Sequence, residues 1–328
     1  MKVSMKVHNH FAGFLEMVLP FTLALALYHW QKSRRRSRRS FSGLVEFLGD
    51  PERLKALLLG LAAVLMLVSI VFSFSRMGMI AVLFSLGAMA AIIVVSGRHS
   101  RSAFRTTPAR PALIVSAIAA AVGIVVWLGA GPVVQRFELL PQNEPLAIGG
   151  QGRLALWHET IPLLRAHPWA GIGLGGFSYA FTRLQHMKLT YVFDFAHCDY
   201  LQFAIELGVP CAAAIFALIA WLALHVSRAA RRARSKFTRA AALGSFSGIV
   251  ALLVHSAADF NLYIPANALV FACLLGLGYA QWLQDTAESN ADPMYSVPAA
   301  TLTADAEAAK SGSHEALIPV AAQLKDSL

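Results

Sequence analysis

The residues best suited to chemistry lie within 171–211. There GIGLGGFSYAF is followed by a polar connection and then by AHCDYLQFAIELGVPC. A glycine-rich turn, His197-Cys198-Asp199-Tyr200 and Glu206 thus stand at the mouth of a long apolar run. Ionisable groups are costly beside hydrocarbon, so their presence there points to function. An imidazole such as His197 exchanges a proton near neutral pH. Asp199 either orients that imidazole, binds a ligand, or opens the next helix as an N-terminal acid. Glu206 either pairs with an arginine or acts in catalysis from an aqueous cavity. Asp259 sits at another helix end, with Asn261 and Tyr263 nearby, and is a binding or capping candidate. Gly173 and Gly175 let the backbone turn tightly or approach a ligand closely.

Membrane helices must position these groups. Of 328 residues, 57% are hydrophobic and 14% charged, against about 25% charged in soluble domains; mean hydropathy is +0.57. The expected fold is all-α and polytopic, with seven apolar runs near 11–30, 54–73, 78–96, 112–131, 200–226, 241–258 and 266–283. A span needs roughly 20 residues. The net charge of +10 sits in short blocks between these runs, which speaks against nucleic acid and for cytoplasmic loops. Residues 31–40 hold six Lys or Arg, 97–110 four, and 227–240 six. Seven spans with those loops inside place the N-terminus outside and the C-terminus inside. The expected organisation is four helices over 1–131, an outer catalytic loop over 132–199, three helices over 200–284, and a disordered cytoplasmic tail over 285–328. The first helix starts almost at once and enters from outside, without the features of a signal peptide. The expectation is that further helices precede it.

Within the outer loop, Leu154, Leu156, Trp157, Ile161 and Leu164 recur at mainly helical spacing. They predict an amphipathic helix at the membrane surface, ended by the Pro168–Gly171 region. A second short helix is expected over 178–190. Gly171, Gly173 and Gly176 satisfy G-x-G-x-x-G, but that motif binds a dinucleotide only after a strand and within a βαβ unit. GSFSG at 244–248 places Phe246, not serine, at the nucleophile position of G-x-S-x-G. Cys198, Cys211 and Cys273 lack metal or disulfide spacing. His158, His167 and His186 are too dispersed for a ligand set, so no metal and no cofactor is expected.

Several separated motifs together resemble the O-antigen ligase and polymerase superfamily of bacterial inner-membrane proteins. Asn9-His10-Phe11-Ala12 resembles its Asn-His-Phe-Ala helix start, and Ser75-Arg76-Met77-Gly78 its Ser-Arg-Gly turn. Arg153 through Trp157, then His167-Pro168 and 171–175, resemble the Arg…Trp…Pro-x-x-Gly-x-Gly loop. His197 through Gln202, with Glu206-Leu207-Gly208 behind, resembles His-Asn-Asp-Tyr-Leu-Gln, and His255-Ser256 with Asp259-Phe260 the closing His-Ser…Asp-Phe motif. Cys198 replaces the usual Asn, and Cys211 the usual Gly.

The resemblance implies transfer of a glycan from an undecaprenyl-diphosphate carrier to a hydroxyl on the periplasmic face, in the manner of an O-antigen ligase. The implied partners are the carrier-linked glycan, a lipid A core or glycan acceptor, and the bilayer. In this reading Arg76 and Arg153 grip the diphosphate, because guanidinium presents a planar, permanently charged fork. The bland alternative has each arginine reaching for lipid headgroups. His197 is the implied base or orienter of the acceptor. Asp199, Tyr200, Glu206, Gly173, Gly175 and Asp259 support or bind substrate, and His10 and Asn9 line the site. His255 reads as a packing or hydrogen-bonding residue. A polymerase of the same superfamily and an incomplete, inactive remnant are the alternatives. A glycan transporter would require paired repeats or broken helices.

Overall fold

The computed structural model describes residues 4–36, 49–99, 150–184 and 193–291. Every regular element among them is helical. The helices are α1 (Ser4–Arg36), α2 (Pro51–Phe72), α3 (Arg76–His99), α4 (Gly150–Ala166), α5 (Phe177–Leu184), α6 (Asp199–Leu207), α7 (Val209–Arg232), α8 (Lys236–His255) and α9 (Pro265–Ala291). A 3₁₀ turn, Asn261–Tyr263, joins α8 to α9. The described residues up to Asp285 form one compact unit. Of the second, Thr286–Leu328, only the last turn or so of α9 is described.

Six of these helices, α1, α2, α3, α7, α8 and α9, are long and apolar enough to cross a bilayer. The expected run 112–131 lies outside the described residues, as do the tail beyond 291 and residues 185–190 of the expected second loop helix. One expected span differs in detail. The run 200–226 is interrupted at Gly208, so α6 is a separate short helix and the span begins at Val209. The break has a tertiary cause. Gly208 has φ +81, and a Cβ there would stand 2.1 Å from the Trp169 carbonyl oxygen. Val209 N–H donates to Pro168 O at 2.8 Å, and Pro210 opens the next helix. Hydropathy alone does not register such a break.

Local chemistry sets the other helix ends. Asp50 caps α2, accepting from Glu52 N–H at 3.0 Å, with Pro51 in the first helical position, where its missing N–H costs nothing. Ser235 caps α8 by accepting from Thr238 N–H. Between α2 and α3, Ser75 Oγ accepts from Gly78 N–H at 3.1 Å.

Helix α8 is the most enclosed of the six, whereas α2 and α7 are the most open. It runs antiparallel to α1. Gly248 lets α8 approach the Met17 backbone and Gly244 the Phe21 backbone; a Cβ at either would lie within 2.6 Å of main-chain atoms. Small residues permit this closeness where lipid offers no hydrophobic drive for association. The third member of the centre is α3, where Ser85 Oγ donates to Ser247 O at 2.8 Å. The apolar cluster includes Met17, Ala24, Met89, Ile92, Ile249 and Leu252.

Contacts sort the helix ends into two faces. The starts of α1, α3 and α9 and the end of α8 share one face, joined by Asn9–Asp259, Asn267–His10 and the close Gly78–Ala12 approach. The end of α1, the starts of α2 and α8 and the end of α3 share the other. There Glu52 accepts from Lys32 and pairs with His29, Tyr28 packs on Phe237, and Ser96 and Arg239 line one cavity.

The loop helices form a small core of their own: Leu156 and Leu163 of α4, Phe177 and Phe181 of α5, with Ala196 and Ile205. Helix α4 is apolar on more than one side. Leu156, Thr160 and Leu163 turn inward, whereas Leu154 and Ile161 are exposed. Leu154 and Ile161 therefore lie on the outward face, and α4 lacks the single apolar face of the amphipathic helix expected.

Candidate functional site

Asp259 is the point on which the candidates converge. It follows α8, is 1% exposed, and draws partners from four segments. Asn9 Nδ2 of α1 donates to Oδ2 at 2.9 Å. Arg153 Nη2, from the first turn of α4, lies 3.6 Å from the same oxygen. His197 Nδ1 stands 3.3 Å from Oδ1, which also accepts Phe260 N–H at 3.0 Å. His255 Nε2 is 4.0 Å from Oδ2. Burial alone would raise the Asp259 carboxyl. The hydrogen bond and charge of His197, with the charges of Arg153 and His255, instead hold it well below the usual carboxylate range.

His197 is buried and adopts φ +52, a left-handed conformation uncommon outside glycine. Its neighbours over-determine that backbone. Ala196 N–H donates to Gln202 Oε1 at 2.6 Å, and Ala196 O accepts from Trp157 Nε1 at 2.8 Å. On the other side, Asp199 N–H donates to the carbonyls of Ser256 (2.9 Å) and Asp259 (3.1 Å). The ring packs edge-on to Phe260, which also meets His10 and stacks with Phe195. A carboxylate on Nδ1 selects the tautomer that leaves Nε2 basic.

The carboxylate beside the imidazole is therefore Asp259, while Asp199 opens α6. Asp199 Oδ2 accepts Leu262 N–H at 3.1 Å, and burial pushes its carboxyl up to about 7. Asp199 thus titrates near neutrality beside a carboxylate whose charge is settled.

Glu206 organises the glycine loop. Its Oε2 accepts from Gly175 N–H (3.0 Å) and from the Tyr263 hydroxyl (2.8 Å), and its Oε1 from Gln202 Nε2 (2.7 Å). Gly173 N–H donates to the Glu206 carbonyl at 2.9 Å. Burial and the adjacent Glu206 push the Tyr263 hydroxyl far up. Gly171 has φ +67, and a Cβ on it would stand 2.4 Å from the Glu206 carbonyl oxygen. Tyr200 donates its hydroxyl to Leu253 O at 2.6 Å, tying α6 to α8, and burial pushes it up to about 12.

Arg153, His197 and Asn9 thus each meet Asp259. Arg76 begins α3 on the same face. Glu16 is the residue that motif reading passed over. It is fully buried and lies 3.0 Å from His255 Nδ1. Its signal was available: it is the sole acidic residue in 1–45, inside an apolar run.

Unmet polar atoms gather here. Arg153 Nε, His255 Nε2, Ser256 Oγ, His10 Nδ1 and Asn261 Nδ2 are buried without a hydrogen-bond partner. Among the described residues, no group of three or more His, Cys, Asp or Glu could hold a metal ion.

Cys198 is the N-cap residue of α6, with extended φ −160 and ψ 112 and no side-chain cap. Burial pushes its thiol up, although the Leu201 and Tyr200 amides lie close by. Asparagine is a strong N-cap. Cys198→Asn is expected to stabilise the protein by about 0.5–2 kcal/mol, read as a higher unfolding midpoint in detergent. An unchanged or lower midpoint would show that position 198 does not act as a cap.

No functionally curated protein matches the chain. Residues 61–216 match the family model described as O-antigen ligase, a span that contains Arg76, Arg153, His197, Asp199 and Glu206. Asn9, Glu16, His255 and Asp259 lie outside it. That family comprises membrane glycosyltransferase-like ligases and polymerases. Carried on an all-helical membrane fold, the match supports membership of the O-antigen ligase and polymerase superfamily.

Proposed function

We propose that this protein transfers a glycan from undecaprenyl diphosphate to an acceptor hydroxyl on the periplasmic face of the bacterial inner membrane. The observation that carries the reading is the meeting of His197 and Arg153 on one buried carboxylate, Asp259. Charge supports this choice of side. The face opposite this cluster bears Arg34, Arg231, Arg232 and Lys236, as cytoplasmic ends do.

His197 Nε2 takes the acceptor proton as the hydroxyl oxygen bonds to the anomeric carbon. The bond from that carbon to the carrier phosphate breaks, and undecaprenyl diphosphate leaves with the electron pair. Asp259 stabilises the imidazolium so formed. Arg153 and Arg76 offset the charge growing on the diphosphate. Glu206 fixes the glycine loop that follows α4 through Gly175 N–H and Gly173 N–H. A polymerase differs only in its acceptor, a second carrier-linked glycan.

The test is reconstitution of the full chain in vesicles with a carrier-linked glycan and each candidate acceptor. Product should appear with equimolar undecaprenyl diphosphate. Arg153→Lys keeps a cation for Asp259 but loses the planar fork. It is expected to lower turnover by about 10²-fold. Wild-type turnover would reduce Arg153 to an ion-pair partner of Asp259, and absence of any carrier release would overturn the reading.

A further inference from the structure

The first membrane helix carries a carboxyl group that the transfer chemistry leaves unassigned. Glu16 of α1 is fully buried, and both its oxygens lie 3.0 Å from Nδ1 of His255 on α8. His255 is fully buried as well. Its other nitrogen, Nε2, has no hydrogen-bond partner and points to Asp259 Oδ2 at 4.0 Å. A carboxyl group enclosed among membrane helices is costly, and such residues mark function.

Proton placement decides what this pair does. If Glu16 is ionised and His255 doubly protonated, Nδ1–H donates to Glu16 and Nε2–H faces Asp259. If the shared proton sits on Glu16 instead, the carboxyl donates to Nδ1, and His255 is neutral with its remaining proton on Nε2. Both arrangements hold the same two protons and present Nε2–H to Asp259. The third, an ionised Glu16 with a lone pair on Nε2, sets that lone pair against a second carboxylate and is disfavoured. At 4.0 Å the contact is too long for a hydrogen bond, so it acts as an oriented charge in a low dielectric.

We propose that Glu16 and His255 are positioning residues for the transfer reaction: they aim an N–H at Asp259 and thereby set how strongly Asp259 acts on His197. This rests on the glycosyl-transfer reading above. The charged and titratable groups facing Asp259 are Arg153 from α4, His197 from the loop before α6, and His255 from α8. His10 of α1, Glu16 and Asp199 lie within electrostatic range. When the His255 pole is lost, His197 bears more of the balance against Asp259 and holds its proton more firmly. The acid limb of the pH–rate profile then moves to higher pH.

The test compares the pH–rate profiles of the full chain, reconstituted with carrier-linked glycan, for wild type, Glu16→Gln, and the double variant Glu16→Leu with His255→Leu. Replacing a buried ionic pair by apolar residues often leaves stability intact. A merely structural pair would therefore be rescued by the double variant in both folding and activity. Positioning predicts a folded double variant with kcat lowered by about ten- to a hundredfold, KM little changed, and the acid limb moved up. Should the double variant fail to fold, Glu16→Gln decides alone. The amide can donate or accept, so it no longer enforces Nε2–H, and the same direction of change is expected. A wild-type profile in Glu16→Gln overturns the proposal. His197→Ala is run beside them. If it is inactive while the Glu16 variants behave as wild type, only the positioning role fails; if it is active, the transfer reading itself fails.

Discussion

Cells carrying His197→Ala at the chromosomal locus are expected to insert the protein normally and to lose glycan transfer. A general base contributes on the order of 10²–10⁴ in rate, the role proposed for His197. Lipid-linked and acceptor-linked glycan fractions, compared with wild type, read the loss directly. Full-length chains stranded on the carrier would identify a ligase, and single repeat units a polymerase. Removing the ring also empties space beside Phe260 and leaves alanine at φ +52. His197→Asn separates these effects. Asparagine tolerates the left-handed region and can still bond Asp259, but it takes no proton near neutral pH. Both variants should be inactive, and His197→Asn should retain wild-type stability. An unchanged glycan profile, with the protein present in the membrane, would remove His197 from catalysis.

Asp259→Asn should be almost as severe despite its near-identical shape. Oδ2 receives Asn9 at 2.9 Å and faces Arg153, while Oδ1 receives Phe260 N–H and faces His197 Nδ1. All four partners present N–H groups, which a carboxylate accepts on both oxygens and an amide on only one. If the amide nitrogen turns toward His197, it donates to Nδ1 and forces the ring proton onto Nε2, the wrong tautomer. If it turns the other way, it meets Asn9 and Arg153 donor to donor. Loss of tautomer control in comparable constellations costs on the order of 10⁴-fold. Turnover is expected to fall by about a thousandfold or more, with insertion and KM little changed. Turnover within about tenfold of wild type would show that Asp259 is a structural cap and not the orienter of His197.

Much of the fold was legible because lipid imposes one-dimensional rules. A span must be apolar over about 20 residues, and six of the seven apolar runs correspond to membrane-length helices among the described residues. The alternation of basic loops anticipated which ends share a face, and the ring contact of Tyr28 with Phe237 joins two of the basic ends. His197 and Asp259 were legible as ionisable residues at helix mouths, and Arg153 through its place in the resembling Arg…Trp motif. Their types and places follow from the chain alone.

What joins to what was decided by tertiary packing. Asn9 reaches Asp259 across 250 residues, Glu16 reaches His255 across 239, and His197 reaches Asp259 across 62. These pairings depend on Gly244 and Gly248 drawing α8 onto α1, which hydropathy does not encode. The choice of Asp259 over Asp199 as the partner of His197 depends on the left-handed turn at His197 and on the two carbonyls that hold Asp199 N–H. The break at Gly208 likewise answers to the Trp169 carbonyl, some forty positions earlier. Apolar character is a property of each residue and its neighbours in the chain, so the sequence settles the helices. Charge pairing is a property of distance in space, and only the packed bundle determines it.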